Sequence, residues 1–377
     1  MKSFWLTLLE CTLILIIAGA ITLILLVKIY LIITKEGMYM KFILKRFLWS
    51  VLVLIGLSIL IFIIARVVPG DPARMALGPR ASEEAIQQLT KELNLDKPLA
   101  TQYFLWVKGV FKGDLGKSIM SRRPVLDDIK EFLPATLEVI FLAAFIEIVG
   151  GILLGTISAR YSGKWIDNVV RIISYLGIAT PAFVWSIILM LIFGYLIPVL
   201  PILGRIDASI IPPPTVTGFM VIDSILDGNM EALSNAILHL IMPAISLALA
   251  GLSQASRIHR SSMLDNFEKD YVGTELSSGI PMKKVLLKYV MKPSLISTVS
   301  IIALDIAAML GNAFLVELVF NYPGISRYGI NAMLNKDLNA ITAIVMIIGI
   351  AFLLVNIIVD IIAAYLDPRI RLQGGAK

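Results

Sequence analysis

Five carboxylates stand inside or at the ends of long apolar runs: Glu138, Glu147, Asp305, Glu317 and Asp360. A charge at the centre of a bilayer costs from about 2.5 kcal/mol upward, so such acids face a bundle interior or a cavity. Asp305 falls in mid-run and is the first candidate to line a path, with Glu147 second. Either can instead hydrogen-bond a neighbouring helix. Glu138, Glu317 and Asp360 fall near run ends and read as structural. The rest of the inventory is thin. His239 and His259 are the only histidines, and a zinc site usually takes about three or four ligands. The single Cys11 excludes a disulfide framework and a Cys-rich metal site. Gly116-Lys117-Ser118 looks like the end of a phosphate-binding loop. That motif needs a glycine where Phe111 stands, so ATP binding by this chain is rejected. No clustered His, Ser or acidic site of a membrane enzyme is visible.

The second chemical feature is a polar, lysine-rich stretch from about Gln254 to Leu295 with helical composition. Ser256–Phe267 reads as a helix continuing out of an apolar run, and Asp270–Ser278 as a second short helix. Gly279-Ile280-Pro281 is a turn, with glycine closing one helix and proline opening the next. Met282–Met291 reads as a basic amphipathic helix, with Val285, Leu286, Tyr289 and Val290 at helical spacing and Lys283, Lys284 and Lys288 elsewhere around it. Such a loop can rest on lipid headgroups or dock in a groove on a protein.

The elements that must position these groups are membrane helices. Of 377 residues, 58% are hydrophobic and 16% charged, well to the apolar side of soluble domains. Seven runs reach the about 20 apolar residues that a crossing needs: Cys11–Thr34, Phe47–Ala65, Leu133–Ser158, Ile172–Leu196, Ala236–Ser253, Leu295–Val316 and Ala343–Leu366. Long apolar runs exclude a β-barrel, which shows short alternating segments. Lysines and arginines gather before the second run, between the third and fourth, between the fifth and sixth, and after the seventh. By the positive-inside rule these joints are cytoplasmic. The net charge of +6 follows from that bias, without a nucleic-acid partner. Region 197–235 has Arg205 as its sole basic residue and falls outside. So does 67–132, since long loops translocate largely regardless of charge.

Within 67–132, Ser82 caps a helix with Glu83 and Glu84 in its first turn. Ala81–Leu93 and Leu99–Phe111 read as two short helices of an outer cap, followed by a Gly-rich turn at Gly113–Gly116. Trp5, Trp106, Trp165 and Trp185 are candidate interface anchors. His239 reads as a residue at the start of a span. Pro181 and Pro243 read as kinks or boundaries, with a hinge as the alternative. Residues 1–39 read as an extra N-terminal transmembrane helix, a signal peptide without a clear cleavage site, or a misassigned start ahead of Met38 or Met40.

At the basic loop the sequence resembles the permease subunits of dipeptide- and oligopeptide-type ABC importers. Ser261-Ser262-Met263-Leu264-Asp265, then Asp270-Tyr271-Val272, Thr274 and Gly279, carry the likeness. Arg66-Val67-Val68-Pro69-Gly70-Asp71-Pro72 resembles the family's R-x-x-PGDP. Gly113-Asp114-Leu115-Gly116 with Ser118 resembles its GDLG-x-S. Pro134-Ala135-Thr136-Leu137-Glu138 resembles the start of its second span, and His239-Leu240 with Pro243-Ala244 its HL-x-x-PA. Glu317, Val319, Phe320, Pro323 and Gly324 resemble its E-x-VF-x-x-PG, and Asp360 and Leu366-Asp367-Pro368-Arg369-Ile370-Arg371 its close. The match covers roughly residues 40–372. It departs at Gly273, Thr274 and Glu275, where related permeases carry E-A-A, and at Leu276, Ser277 and Ser278.

The resemblance implies an all-α integral membrane fold: a type I ABC importer-like six-helix permease bundle, with one extra N-terminal transmembrane helix if 1–39 is real. Residues 40–66 are then the first permease helix, 67–132 the extracytoplasmic helical cap, 133–372 the permease core with a coupling loop at 255–294, and 373–377 a cytoplasmic tail. The chain would bind no cofactor, ATP and Mg being used by partner ATPase subunits. The implied partners are a second homologous permease, two cytoplasmic ATPase subunits and an extracytoplasmic solute-binding protein, in the plasma membrane. Asp270, Tyr271, Thr274, Glu275, Gly279, Pro281 and Lys283 would form the contact with one ATPase. Peptides are the first implied cargo, with nickel chelates or oligosaccharides as others. The rival class is an ion-coupled secondary transporter, which commonly shows inverted repeats; none is evident, and it leaves the basic loop unexplained.

Overall fold

In the computed structural model, the structure describes residues 38–67, 72–78 and 81–366. The expectations for residues 1–37, for Pro69-Gly70-Asp71, for the side chain of Asp360 and for the closing motif beyond Leu366 lie outside the described residues.

The described residues form α1 (Met38–Val67), α2 (Pro72–Leu77), α3 (Glu83–Glu92), α4 (Leu99–Val110), α5 (Val125–Arg160), α6 (Trp165–Ala179) and α7 (Ala182–Leu189). A π-helical turn, Met190–Leu196, continues α7. Then come α8 (Met220–Asp227), α9 (Met230–Phe267), α10 (Asp270–Ser277), the single turn α11 (Met282–Lys284), a π segment Val285–Val290, α12 (Met291–Val319), α13 (Ile325–Leu334) and α14 (Leu338–Leu366). Among them the sole β pairing is an isolated bridge between Lys117 and Pro124.

Five helices, α1, α5, α9, α14 and the run through α12, are long and apolar enough to cross a membrane. The expected span Ile172–Leu196 is not one straight helix. It breaks into α6 and α7 with a bend of 111°. Pro181 is the cause: it lacks an N–H and pushes the residue before it out of the helical region, and Thr180 is extended at φ −102° and ψ 122°. Counted as one crossing, the bent pair makes six. His239 lies inside α9, which begins ahead of the apolar run, and is buried.

The chain forms two compact units. One comprises residues up to Lys130 together with Asn331–Ala364. In it the Ser82 hydroxyl accepts from Ala85 N at 3.3 Å and caps α3 as expected. The Gly-rich turn is pinned by Asp337, whose Oδ2 accepts from Ser118 Oγ at 2.6 Å and Ile119 N at 2.7 Å. Gly116 has φ +82°, a left-handed backbone that favours glycine, and a Cβ there would lie 2.7 Å from the Asn339 amide. Ser118 is thus engaged with a carboxylate.

The other unit is residues Glu131–Ile330 with a short C-terminal piece. Its centre is α9 against α5 and α12. Glu147, Gly151 and Gly155 recur every four residues along one face of α5. They meet Gly251, Ala255 and His259 of α9 in the same order, so the two helices run parallel. A Cβ on Gly151 would lie 2.7 Å from Ala255 Cβ, and one on Gly155 2.7 Å from Ser256 O. Small residues in this spacing let backbones approach where hydrophobic collapse cannot drive packing. Buried His259 ties the group together, its ring nitrogens 3.1 Å from Thr156 Oγ1 and 2.8 Å from Thr298 Oγ1.

Candidate functional site

The loop after α9 is an ordered structure with its own core. α9 runs unbroken to Phe267, as the sequence predicts for Ser256–Phe267. Met263 of α9, Val272 of α10 and Val285 and Val290 of the π segment are buried together, with Leu276, Ile280 and Leu286 packed around them. Here the structure departs from a plain amphipathic helix over Met282–Met291. Residues five apart share a face in a π-helix, whose bonds run i to i+5, and Val285 and Val290 are five apart.

Each predicted loop residue has a definite place. Asp270 opens α10, where a carboxylate suits the helix dipole. Tyr271 is 43% exposed, and its hydroxyl bridges to Asn266 Oδ1 and Tyr289 O, both at 3.3 Å. Thr274 is exposed and donates back to Asp270 O at 3.0 Å. Glu275 is half-buried, and its carbonyl accepts from Ile280 N at 3.2 Å, while Gly279 N donates to Leu276 O at 3.0 Å. With Gly279 at φ +79° this pairing is a Schellman close. Pro281 then opens α11. Lys283 is exposed beside Lys284. The outward face of the loop thus carries Tyr271, Gly273, Thr274, Ser277, Ser278 and Lys283.

The two path candidates differ in setting. Glu147 is fully buried, and neither carboxylate oxygen has a hydrogen-bond partner. It lies against the α9 backbone: a Cβ on Gly251 would sit 2.5 Å from its Oε2. Asp305 of α12 is half-buried, with Oδ2 likewise unpartnered.

Glu138 and Glu317 are structural in the way their positions predict. Glu138 receives Arg205 Nη2 at 2.6 Å and Val221 N at 2.8 Å, holding the 197–229 segment onto α5. Tyr322 also reaches it at 3.3 Å. Burial, then the adjoining Glu138 charge, hold the Tyr322 phenol above its ordinary pKa. Buried Glu317 receives Thr136 Oγ1, and Ser326 N and Arg327 N at 3.0 Å each. Gly324 faces that carboxyl with no room for a Cβ. Two motifs far apart in sequence, around Thr136 and Glu317, therefore close on each other. At Asp223 burial works against ionisation, but donors from Thr217, Gly218 and Val216 outweigh it and hold the carboxyl below its ordinary range.

One cluster escaped the sequence reading. Asp167 on α6 is buried and takes Arg260 of α9 in a bidentate pair at 2.7 and 2.8 Å, with Ser158 Oγ at 2.5 Å and Gly163 N at 3.0 Å. It clasps α5, α6 and α9 just ahead of the loop. Asp167 stands in a short polar joint, and the one available signal was its place in the first turn of α6.

Six apolar crossings and an ordered basic loop define an all-helical integral membrane protein of the permease class. Residues 151–372 match the family described as binding-protein-dependent transport system inner membrane component, and residues 39–140 match the N-terminal part of the same kind of membrane component. The chain belongs to this family. It is 39% identical over 335 residues to the probable D,D-dipeptide transport system permease protein DdpB of Escherichia coli strain K12, covering 88% of this chain and 98% of the relative. It is 34% identical over 327 residues to the dipeptide transport system permease protein DppB of Alkalihalophilus pseudofirmus, covering 87% and 98%. A di/tripeptide transport system permease protein of Pseudomonas aeruginosa is 32% identical over 335 residues, covering 89% and 99%. The chain is accordingly an inner membrane permease component of a binding-protein-dependent transport system.

Proposed function

We propose that this chain and a second homologous permease form the path by which dipeptides or short oligopeptides, delivered by an extracytoplasmic solute-binding protein, cross the membrane. Two cytoplasmic ATPase subunits, using ATP and Mg, supply the energy. The relatives' peptide cargo supports the substrate class. In this reading 67–132 is the outer cap, 133–372 the core and 255–294 the coupling loop. The positive-inside bias supports that arrangement. So does the parallel packing of α5 and α9, since both then point the same end to the cytoplasm.

The observation that carries the mechanism is the core of Met263, Val272, Val285 and Val290. It makes the loop a rigid lever. The small outward face of α10, at Gly273, Thr274, Ser277 and Ser278, suits close seating in an ATPase groove, with Asp270, Tyr271 and Glu275 around it and Pro281 and Lys283 at its exit. When the ATPase pair closes, α10 moves, and α9 and α12 follow as one body. Switching of this kind is rigid-body motion between two packings. Asp305 lines the path from its half-exposed position, and Glu147 backs it.

Gly279 tests the lever. Its Cβ position is open, so a side chain there acts through the left-handed backbone alone, at about 1–2 kcal/mol for an L-residue. Gly279→Val reshapes the α10 exit, and peptide uptake is expected to fall while ATPase activity of the assembled complex persists. Unchanged uptake at equal expression would overturn the coupling role.

A further inference from the structure

The first unit holds a cleft of about 730 Å³, within the usual range of about 300–1,000 Å³ for small-ligand sites. Two residues of its lining, Arg66 and Trp106, each carry a buried donor without an acceptor, Arg66 Nη1 and Trp106 Nε1. Both groups are fixed. The Arg66 guanidinium lies 3.7 Å over the Phe62 ring, and its Nε donates to Gln102 Oε1 at 2.8 Å. Gln102 is itself held by Lys97 O at 2.8 Å. Trp106 packs on the same Phe62 ring, with centroids 5.7 Å apart. A buried donor without a partner is uncommon in folded proteins and calls for an explanation. Lys117 and Arg122 also line the cleft, as do Glu92 and Asp114, the latter with Oδ1 accepting from Gly116 N at 2.9 Å. Leu89, Leu93, Leu105 and Ile119 supply apolar wall.

We propose that this cleft is a subsite for a compact zwitterion with an apolar body, namely a short peptide whose carboxylate meets Arg66 and Trp106 and whose ammonium turns to the Glu92 and Asp114 side. The proposal rests on the peptide-permease reading above, which places the cleft on the outer face, and it adds a site there. An aminophospholipid headgroup shares the same zwitterionic chemistry. Charges of both signs, interleaved with short apolar patches rather than one long apolar track, favour the peptide.

The test uses the full chain in phosphatidylcholine nanodiscs, titrated with trileucine, its C-terminal amide and its N-acetyl form. A charge-assisted hydrogen bond removed from a buried site weakens binding by about tenfold or more. The free peptide is expected to bind about tenfold more tightly than the amide, and Arg66→Gln is expected to erase that difference. Trp106→Phe, which keeps the ring on Phe62 and removes only the N–H, is expected to weaken the free peptide several-fold. Equal binding of acid and amide by the unmodified chain overturns the proposal without any variant. Retention of the difference in Arg66→Gln overturns it as well. Loss of peptide binding when phosphatidylethanolamine is added to the nanodiscs assigns the cleft to a headgroup and overturns it too. Peptide uptake by the assembled transporter is measured in parallel. Uptake without acid–amide discrimination defeats the subsite alone, whereas absence of peptide uptake defeats the peptide-permease reading.

Discussion

Glu317 shows why particular residues recur in this chain's motifs. One buried carboxylate accepts from Thr136, Ser326 N and Arg327 N. It thereby joins the start of one span, the end of another and the first turn of α13. Gly324 must lack a side chain because the Glu317 carboxyl occupies the space. Gly324→Ala should therefore lower stability by about 1–3 kcal/mol through overpacking, read as a clear drop in the melting temperature of the purified protein. An unchanged melting temperature would mean the carboxyl can move aside. At this scale the sequence was partly legible. Glu138 and Glu317 announced structural roles by standing at run ends. Their partners did not, because Arg205 and Thr136 are remote in sequence and nothing local marks a long-range hydrogen bond. Asp167 was missed for the same reason: its partner Arg260 is 93 residues away. Glu147 and Asp305 could be singled out as intramembrane acids because an acid inside an apolar run stands out without knowledge of its neighbours.

Among the elements, the α5–α9 pair depends on close backbone approach. Gly151→Leu would drive a side chain into Ala255, and the helices would have to separate. Its melting temperature should fall by more than that of Gly56→Leu, a control in α1 where a Cβ meets nothing within 4 Å. Equal melting temperatures would contradict the parallel contact. The positions of the crossings were readable from apolar run length, but their ends were not. α5 begins at Val125 and α9 at Met230, well before the apolar runs. Pro134 and Pro243 lie inside helices that continue through them, whereas Pro181 ends one. The difference lies in tertiary support, which sequence does not display. The π segment was also hidden: a period close to that of an α-helix was visible around Val285–Val290, but the five-residue return that buries both valines needed the α9 surface to select it.

For the whole molecule, the claim is mechanical. In the proposed mechanism one lysine-rich loop with a core of its own would bias, from the cytoplasm, the helices it joins. Composition and the charge of the short joints pointed to the orientation of the loop, while the long, lysine-containing joint 67–132 carried no such signal. Which cargo crosses was not legible, because no motif in the sequence marks the atoms that meet it. The central claim stands or falls on which side of the membrane the loop occupies. Lys284 is exposed, and Cys11 is the single native cysteine. In a Cys11→Ser background, Lys284→Cys should resist a membrane-impermeant maleimide in intact spheroplasts and react in inside-out vesicles. Labelling from the outside in spheroplasts would contradict the account.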